Sequence, residues 1–218
     1  MPRPKLIRST VLPYHVRSRS NNREWFHLPT ERVWQIMGGI LNTVTLEYQA
    51  LIHSFVLMNN HLHLILSTPN GNLDAIMQYF IRESAKAIGR ESGRINRIFG
   101  GRYQRSLLSN EQYFLNAIKY NFRNPVAAKI CDRAEEYPFS TLNWTLGRGR
   151  PLFPLSEEPD FLFRLLPRNE LLTDWLNVSY TARQSEVVRL GLRRSTCGWP
   201  KGNAYKTAIK GLSGPPGM

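Results

Sequence analysis

The chain has 218 residues, 42% of them hydrophobic, which is enough for one sizeable domain with a buried core. Its 29 Lys and Arg against 16 Asp and Glu give a net charge of +13, which favours a polyanionic partner, with nucleic acid ahead of an anionic membrane surface. Since no apolar run approaches the roughly 20 residues that cross a bilayer, the sequence argues against a membrane span.

Two features of the sequence bear on the cellular compartment. The basic N-terminus has no apolar segment behind it, so we expect no secretory signal peptide. The two cysteines, Cys131 and Cys197, lie far apart and match no metal-binding spacing. We therefore expect two reduced thiols in a cytoplasmic protein.

The first elements in chain order are a strand and a helix. Leu12 to Arg19 predicts the strand, which ends in the turn-rich segment 18–23. Thr30 suits the N-cap position of a helix. Apolar residues then recur at helical spacing: Val33, Trp34, Met37 and Leu41.

A hairpin and a long helix follow. Residues 45–58 contain the second strand and His61 to Ser67 form the third, with the turn pair Asn59-Asn60 between them. A helix is expected from Leu73 to about Gly93. Its apolar face is formed by Leu73, Ile76, Met77, Phe80, Ala87 and Ile88.

The last elements of this region are a strand from Arg102 to Leu108 and a helix from Glu111 to about Arg123. Ser109 or Asn110 can cap that helix, and Asn124-Pro125 stops it, because a residue before proline disfavours the helical region. The order of elements predicts an α+β fold, an antiparallel sheet with helices packed on it.

A Pro- and Gly-rich segment, residues 147–160, marks a boundary between two parts of the chain. We expect residues 1–146 to form one domain and residues 147–218 to form a basic C-terminal extension with one or two short helices and a loose end at 211–217. The two parts carry net charges of +8 and +5, so both are candidates for contact with a polyanion.

The pair His61 and His63 is the most informative feature of the sequence. Residues two apart on a strand project to the same side, so the two imidazoles converge from a rigid platform. A His-x-His on a strand is more often a pair of polar side chains on a wet face. Here the opposite face is apolar and the surroundings are basic, so a bound cation explains the pair better.

Tyr120 and Asn124 stand four residues apart, one helical turn, and therefore share a face. Tyr120 could instead pack in the core, and Tyr113 is a rival nucleophile, although the residue one turn after it, Ala117, cannot bind a metal. Asn124 could instead be the N-cap of a helix that begins with Pro125.

Together these four groups predict metal-assisted attack on a phosphodiester by a tyrosine. His61, His63 and Asn124 are neutral ligands, so a bound Mg²⁺ or Mn²⁺ keeps its charge for the oxygens of a phosphate. A tyrosine nucleophile conserves the energy of the broken bond in a phosphotyrosine ester, which permits rejoining as well as cutting.

A run of basic residues begins on the helix 73–93, opposite its apolar face. Its length and lack of balancing acids favour a track for phosphates, although a solvated helix face is equally compatible with the spacing. Trp25, Phe99 and Tyr103 could stack on bases or pack in the core, and His15 and His27 are expected to be bystanders. The basic run comprises Arg82, Lys86, Arg90, Arg94, Arg97, Arg102 and Arg105.

Five ordered blocks of this sequence resemble the REP-associated tyrosine transposases, relatives of the single-tyrosine insertion-sequence transposases that have a His-hydrophobic-His motif. The resemblance covers roughly residues 5–145. Its blocks are Pro13–Arg19 with Asn21–Arg23, Phe55–Leu64, Gly101–Tyr103, Tyr120–Ala128 and Tyr137–Ser140.

The resemblance implies a ferredoxin-like or RRM-like catalytic domain at 1–146 and single-stranded DNA hairpins, of the repetitive palindromic kind, as substrate. It implies Mg²⁺ or Mn²⁺ held by His61, His63 and Asn124, and Tyr120 forming a 5′-phosphotyrosine link with release of a 3′ hydroxyl. Relatives occur as monomers and as homodimers in bacteria.

The sequence thus predicts a DNA-nicking and DNA-joining enzyme in which the basic run holds the hairpin together with a DNA-binding C-terminal extension that includes Arg193 and Arg194. Two alternatives remain open. One is a domesticated protein that binds hairpins without cutting them. The other is an RNA-binding module, because a sheet with aromatic residues and basic flanks also suits RNA.

Overall fold

The computed structural model describes residues 7–156, 170–212 and 214. Its central feature is one sheet of four strands, all paired antiparallel, in the order β2-β3-β1-β4. The strands are β1 (Tyr14–Arg19), β2 (Leu51–Met58), β3 (His61–Ser67) and β4 (Gln104–Leu107).

Two long helices connect the strands, α1 (Thr30–Tyr48) between β1 and β2, and α2 (Leu73–Ser92) between β3 and β4. The resulting β1-α1-β2-β3-α2-β4 order, with β1 and β3 in the centre of the sheet, is the ferredoxin-like topology. The predicted α+β fold, an antiparallel sheet with helices packed on it, is confirmed.

Both long helices cover the same face of the sheet, because alternate strand residues form one apolar core with them. Leu62, Leu64 and Leu66 of β3 are fully buried against this layer. The helices contribute Val33, Met37 and Leu41 from α1, and Ile76, Met77 and Phe80 from α2.

The other face is covered by α3 (Glu111–Phe122) together with elements from the C-terminal part of the chain. After α3 come α4 (Asn124–Ala127), α5 (Leu142–Thr145), α6 (Glu170–Asn177), α7 (Ala182–Gly191) and α8 (Asn203–Lys210), with short 3₁₀ turns at Asn21–Arg23 and Ala134–Glu136. No helix in the described part of the chain combines the length and apolar character that crossing a membrane requires.

The C-terminal part packs directly on the sheet domain. Trp175, Leu176 and Val188 belong to the same buried cluster as Phe114 and Ile65. The backbone N–H of Leu107, in β4, donates to the carbonyl of Ser195 at 2.9 Å, and the N–H of Cys197 donates to the carbonyl of Leu107 at 2.8 Å. Residues beyond the proposed boundary therefore extend the edge of the sheet and bury its second face.

Most predicted elements form within two or three residues of the expected bounds, with three local differences. The first strand begins at Tyr14, since Pro13 has no N–H to join the ladder. Pro29, and not Thr30, is the N-cap of α1, and the hydroxyl of Thr30 donates to the side chain of Asn59. The C-terminal part contains three described helices where one or two were expected; predicted positions 157–160, 213 and 215–217 lie outside the described residues.

Candidate active site

The three predicted ligand residues lie together in the structure. Strand alternation places His61 and His63 on the face of β3 opposite its buried leucines. Nε2 of His61 is 3.2 Å from Oδ1 of Asn124, and Nε2 of His63 is 3.1 Å from Nδ2 of the same amide. One carboxamide thus bridges two imidazoles whose Nε2 atoms face the same point.

Asn124 owes this position to the end of α3. Arg123 and not Asn124 occupies the N-cap position of the short helix α4, with Pro125 in its first turn, and the Asn124 side chain makes no capping bond. The competing N-cap role therefore does not hold the amide, which extends from the start of α4 to the two histidines on β3.

Tyr120 faces the same histidines from the last turn of α3. Its ring centroid is 5.5 Å from that of His63 and 6.2 Å from that of His15, with both pairs nearly perpendicular. Tyr113 lies two turns earlier and packs edge-on against Trp199 at 4.6 Å. Of the two tyrosines on this helix, Tyr120 lines the cleft that contains the histidines and Tyr113 does not.

The hydrogen bonds around the histidines fit a bound cation. Nδ1 of His61 is 2.7 Å from Oδ1 of Asn60, closer than Nε2 is to Oδ1 of Asn124, and the single N–H of a neutral ring can serve only one of these two oxygens. With the proton on Nδ1, Nε2 presents a lone pair to the oxygen of Asn124, and a cation bound by both atoms would relieve their repulsion. A metal-binding histidine that donates its other N–H to an oxygen acceptor is the usual arrangement.

The donor set is unusual in containing an amide. Among the described residues, no cluster of three or more His, Cys, Asp or Glu side chains is placed to hold a metal ion. A site here therefore needs the oxygen of Asn124 as the third protein ligand. Two imidazoles and an amide oxygen suit ions such as Mn²⁺, or Mg²⁺ that retains several waters.

Burial keeps the imidazoles neutral. It lowers the pKa of His61, an effect that the charges of Arg19 and Arg17 reinforce. It also lowers the pKa of His63 well below its ordinary value, and His15, His61 and the same arginines add to the shift. Neutral imidazoles are the form that binds a metal, so both rings are poised for coordination near pH 7.

The cleft around this cluster has a volume of about 960 Å³ and a basic lining. Its described lining includes five arginines and no Asp or Glu, together with Asn21, Asn22 and the glycines at 100 and 101. The arginines are Arg17, Arg19, Arg23, Arg102 and Arg193. Such a lining concentrates positive potential where a phosphate chain would pass.

The structure divides the predicted DNA-contacting residues into two groups. Arg102 and Arg193 line the cleft. The others do not line it: the α2 positions lie on the helix layer that covers the opposite face of the sheet, and Arg105 points to that face because it pairs with Val16. These other residues are Arg82, Lys86, Arg90, Arg94, Arg97, Arg105 and Arg194.

Acidic partners accompany part of the basic run, contrary to the expectation that it lacks them. On α2, Glu83 pairs with Arg82 at 2.7 Å and with Lys86 at 3.2 Å, and beyond the end of α2 Glu24 pairs with Arg94 at 2.9 Å. The pairing of Glu83 with Lys86 follows from helical spacing, whereas Glu24 is 70 residues from Arg94 and only the fold brings the two together.

The predicted site lacks three residues that belong to it: two arginines that line the cleft and one histidine buried behind it. Arg17 and Arg19 stand directly opposite His63 and His61 in the β1–β3 ladder, so their side chains share the face of the histidines. Burial lowers the pKa of Arg17, while the nearby Tyr120 phenol raises it. The alternation His-Val-Arg-Ser-Arg in β1 shows that Arg17 and Arg19 share one face of the strand. Only the register of β1 with β3 shows that this is the face of His61 and His63.

The third omitted residue is His15, which was expected to be a bystander. It is buried, its Nε2 is 3.1 Å from Nδ1 of His63, and the two rings stack with centroids 5.3 Å apart. Burial lowers the pKa of His15 to about 3, so the ring is neutral. His15 therefore contacts the back of the candidate metal ligand.

A second cleft, of about 740 Å³, adjoins the first across Tyr120 and Asn124, which line both. Its far wall is formed by Tyr180, Ser185 and Arg189, from α7 and the segment before it. A chain passing over Tyr120 would therefore find a groove on each side of the phenol.

No protein-family model and no curated protein matches the sequence. Among solved structures, the fold is similar to that of a REP-associated tyrosine transposase bound to a REP hairpin. The TM-score is 0.59 and the identity 18%, over 72% of this chain and 92% of that chain.

A second solved structure, a candidate transposase from Deinococcus radiodurans R1, aligns with a TM-score of 0.38 and 13% identity over 60% of this chain and 94% of that one. That score is too low to establish a shared fold. The first comparison supports the resemblance found in the sequence, and the chain has the fold of a REP-associated tyrosine transposase.

Proposed function

We propose that the protein is a transposase-type enzyme that nicks and rejoins single-stranded hairpin DNA through a 5′-phosphotyrosine intermediate. The observation that carries the proposal is the meeting of Tyr120, the imidazoles of His61 and His63 and the amide of Asn124 in one arginine-lined cleft. These groups come from two distant parts of the sequence.

The substrate class follows from charge and from the structural neighbour. The described lining of the cleft contains five arginines and no Asp or Glu, which suits a phosphate backbone. The solved structure with the similar fold is bound to a REP hairpin. A hairpin beside an unpaired strand would let the duplex lie on the protein while the single strand enters the cleft.

His61, His63 and Asn124 would hold Mg²⁺ or Mn²⁺. When bound there, the ion supplies Lewis-acid polarisation of the scissile phosphate. The chain contributes neutral ligands, so the ion retains its full charge toward the substrate. Asn60 would orient the imidazole of His61 through its contact with Nδ1.

Tyr120 would perform the covalent step. Its phenolic oxygen forms a bond to phosphorus and loses its proton, while the bond from phosphorus to the 3′ oxygen breaks and that oxygen gains a proton. The products are a 5′-phosphotyrosine ester and a free 3′ hydroxyl, and attack by a 3′ hydroxyl reverses the step. Arg17 lies near the phenol and would stabilise its developing negative charge.

A single chain supplies every group of the proposed site. Tyr120 lies against His63 of its own chain, with ring centroids 5.5 Å apart. This geometry supports nicking by a monomer, and it is equally compatible with a homodimer in which each protomer retains its own tyrosine.

The test uses a 3′-labelled hairpin oligonucleotide with a single-stranded flank, so that the label stays on the fragment joined to the tyrosine, incubated with Mn²⁺ and resolved on a denaturing gel. Wild-type protein should give a covalent protein–DNA adduct. Tyr120→Phe should abolish the adduct, lowering the nicking rate on the order of 10⁴-fold or more, and retain hairpin binding. Tyr113→Phe removes a hydroxyl from the same helix and should leave the adduct intact.

The outcomes separate the hypotheses. An adduct that persists in Tyr120→Phe would remove Tyr120 from the nucleophilic role. Hairpin binding without any adduct in the wild type would favour a binding protein that does not cut. Stronger competition by the matched RNA hairpin than by the DNA hairpin would favour RNA as the partner.

A further inference from the structure

His15 is a buried polar residue with no assigned role on the catalytic face of the sheet. It is 1% exposed and is the second residue of β1, where it pairs with Ile65 of β3 in the ladder. Its Nε2 is 3.1 Å from Nδ1 of His63. A buried imidazole is costly unless both ring nitrogens are satisfied, so its hydrogen bonds indicate what holds it there.

The direction of the first hydrogen bond follows from the metal role of His63. Coordination through Nε2 requires the proton of a neutral ring to lie on Nδ1. That N–H can donate only to Nε2 of His15, the atom 3.1 Å away. His15 must then accept at Nε2 and carry its own proton on Nδ1.

The second hydrogen bond leads to α3. Within the described structure, Nδ1 of His15 and Oδ1 of Asn121 are both buried and both lack a hydrogen bond of standard geometry. Asn121 is a side-chain hydrogen-bonding partner that raises the pKa of His15, which makes its unsatisfied Oδ1 the candidate acceptor for the Nδ1 proton of His15. Nδ2 of Asn121 in turn donates to the hydroxyl of Ser54 on β2 at 3.2 Å.

We propose that His15 is a positioning residue that links the metal ligand His63 to Asn121 on the helix that carries the nucleophile. The inference rests on the proposed metal role of His63 and deepens it. The structure contains the two outer contacts, His63 to His15 at 3.1 Å and Asn121 to Ser54 at 3.2 Å, and the proposed bond from His15 to Asn121 joins them across β3, β1, α3 and β2.

This relay has two physical consequences. It fixes the tautomer of His63 so that the Nε2 lone pair faces the metal position. It also ties Asn121, the residue after Tyr120, to the sheet, so the phenol and the metal ligands are held by one network. His15 would touch neither metal nor DNA and would act through these two neighbours.

The experiment measures metal binding directly. Isothermal titration of the protein with Mn²⁺ compares the wild type with His15→Phe, which keeps a ring of similar size but removes the acceptor. We expect Mn²⁺ affinity to fall about 10- to 100-fold, the usual effect of losing a hydrogen-bond partner behind a metal ligand.

The matched control is His53→Phe. His53 is also a buried histidine of the sheet, but it bonds to Ser67 at 2.7 Å, at the far end of the β2–β3 pair from His61. This variant should bind Mn²⁺ as the wild type does. An equal loss of affinity in both variants, or a loss below about threefold in His15→Phe, would overturn the relay.

A second measurement needs no variant to fold. Long-range ¹H–¹⁵N spectra of the imidazoles in Mg²⁺-loaded wild-type protein should show the His63 and His15 protons on Nδ1. A His63 proton on Nε2 would overturn the proposal. If the wild type binds no Mn²⁺, the proposed metal role of His63 is wrong. If the wild type and His15→Phe bind Mn²⁺ equally well, only the positioning role of His15 is wrong.

Discussion

The two faces of the sheet differ in what they bury. The face under α1 and α2 is filled by aliphatic and aromatic side chains, with Leu62 and Leu64 as its β3 members. The other face buries polar groups among its apolar ones, including His15, Ser54 and His63. Because side chains alternate along a strand, successive residues of β3 belong in turn to the apolar core and to the candidate site.

The two faces also differ in how they present charge. On α2, Glu83 neutralises part of the basic stripe by pairing with Arg82 and Lys86. The described lining of the cleft contains arginines and no acid. Counting basic residues along the chain does not distinguish these cases, because net local charge depends on which acids fold beside them.

Among the tests of this contrast between the two faces, the largest effect should come from removing a metal ligand on the polar face. His63→Ala should lower the nicking rate on the order of 10³-fold, because the Lewis acid would supply several kcal/mol of charge stabilisation in the transition state. Hairpin affinity should change little, since the arginines remain. The rate is measured by adduct formation under single-turnover conditions, with affinity measured separately by fluorescence anisotropy.

Leu62→Ala is the control from the other face, one residue away on the same strand. It should cost about 2–5 kcal/mol of unfolding free energy, because Leu62 is fully buried in the apolar core. Below its unfolding temperature, the variant should still form the adduct. Loss of adduct by folded Leu62→Ala, or normal rates in His63→Ala, would break the division between the two faces.

A smaller effect, on hairpin affinity, is expected from removing positive charges from the cleft. Arg19→Gln with Arg102→Gln removes two cleft arginines and should weaken hairpin binding about 10- to 100-fold. It should also reduce the slope of log affinity against log salt by roughly 1.4–1.8, two phosphate contacts' worth. Anisotropy titrations across a range of KCl concentrations give both quantities.

The matched pair is Arg82→Gln with Lys86→Gln, the same loss of charge on α2. It should change affinity by less than about threefold, since these residues are paired with Glu83 and lie outside the cleft. A loss of affinity as large as that of the cleft pair would show that DNA contacts the basic residues of α2, as the sequence pattern predicts.

The fold was predictable because its signals are local. The turn pair Asn59-Asn60 between two apolar runs fixed the hairpin, and the predicted bounds of β3 match those observed. Asn110 caps α3 by accepting from the N–H of Tyr113, as its residue type indicates. Such features depend on residues within a few positions of each other.

The site was predictable only where its members share one element. His61 with His63, and Tyr120 with Asn124, each follow from strand or helix spacing. Arg17 and His15 were missed because their relation to His63 depends on strand register, across 46 and 48 residues of sequence. The neutralisation of Arg94 by Glu24 was missed for a similar reason, since this pair depends on tertiary contact.

The last expected effect is on stability and sharpens the contrast between the faces through pH. Burial lowers the pKa of His53 to about 4 from an ordinary value near 6.5. Between these values the unfolded chain binds a proton that the folded chain does not, so the unfolding free energy falls as pH falls. A fully buried group of this kind contributes a slope approaching about 1.4 kcal/mol per pH unit.

Urea denaturation at pH 7, 6 and 5 tests this contribution. His53→Phe should flatten the fall in unfolding free energy below pH 6.5 by up to that slope, even if the variant is less stable at pH 7. Phe55→Leu, from the apolar face two residues along β2, should lower stability by a similar amount at every pH, because it removes no titrating group. Parallel curves for all three proteins would show that His53 does not stay neutral in the fold, and the polar face would then tolerate buried charge that the apolar face cannot.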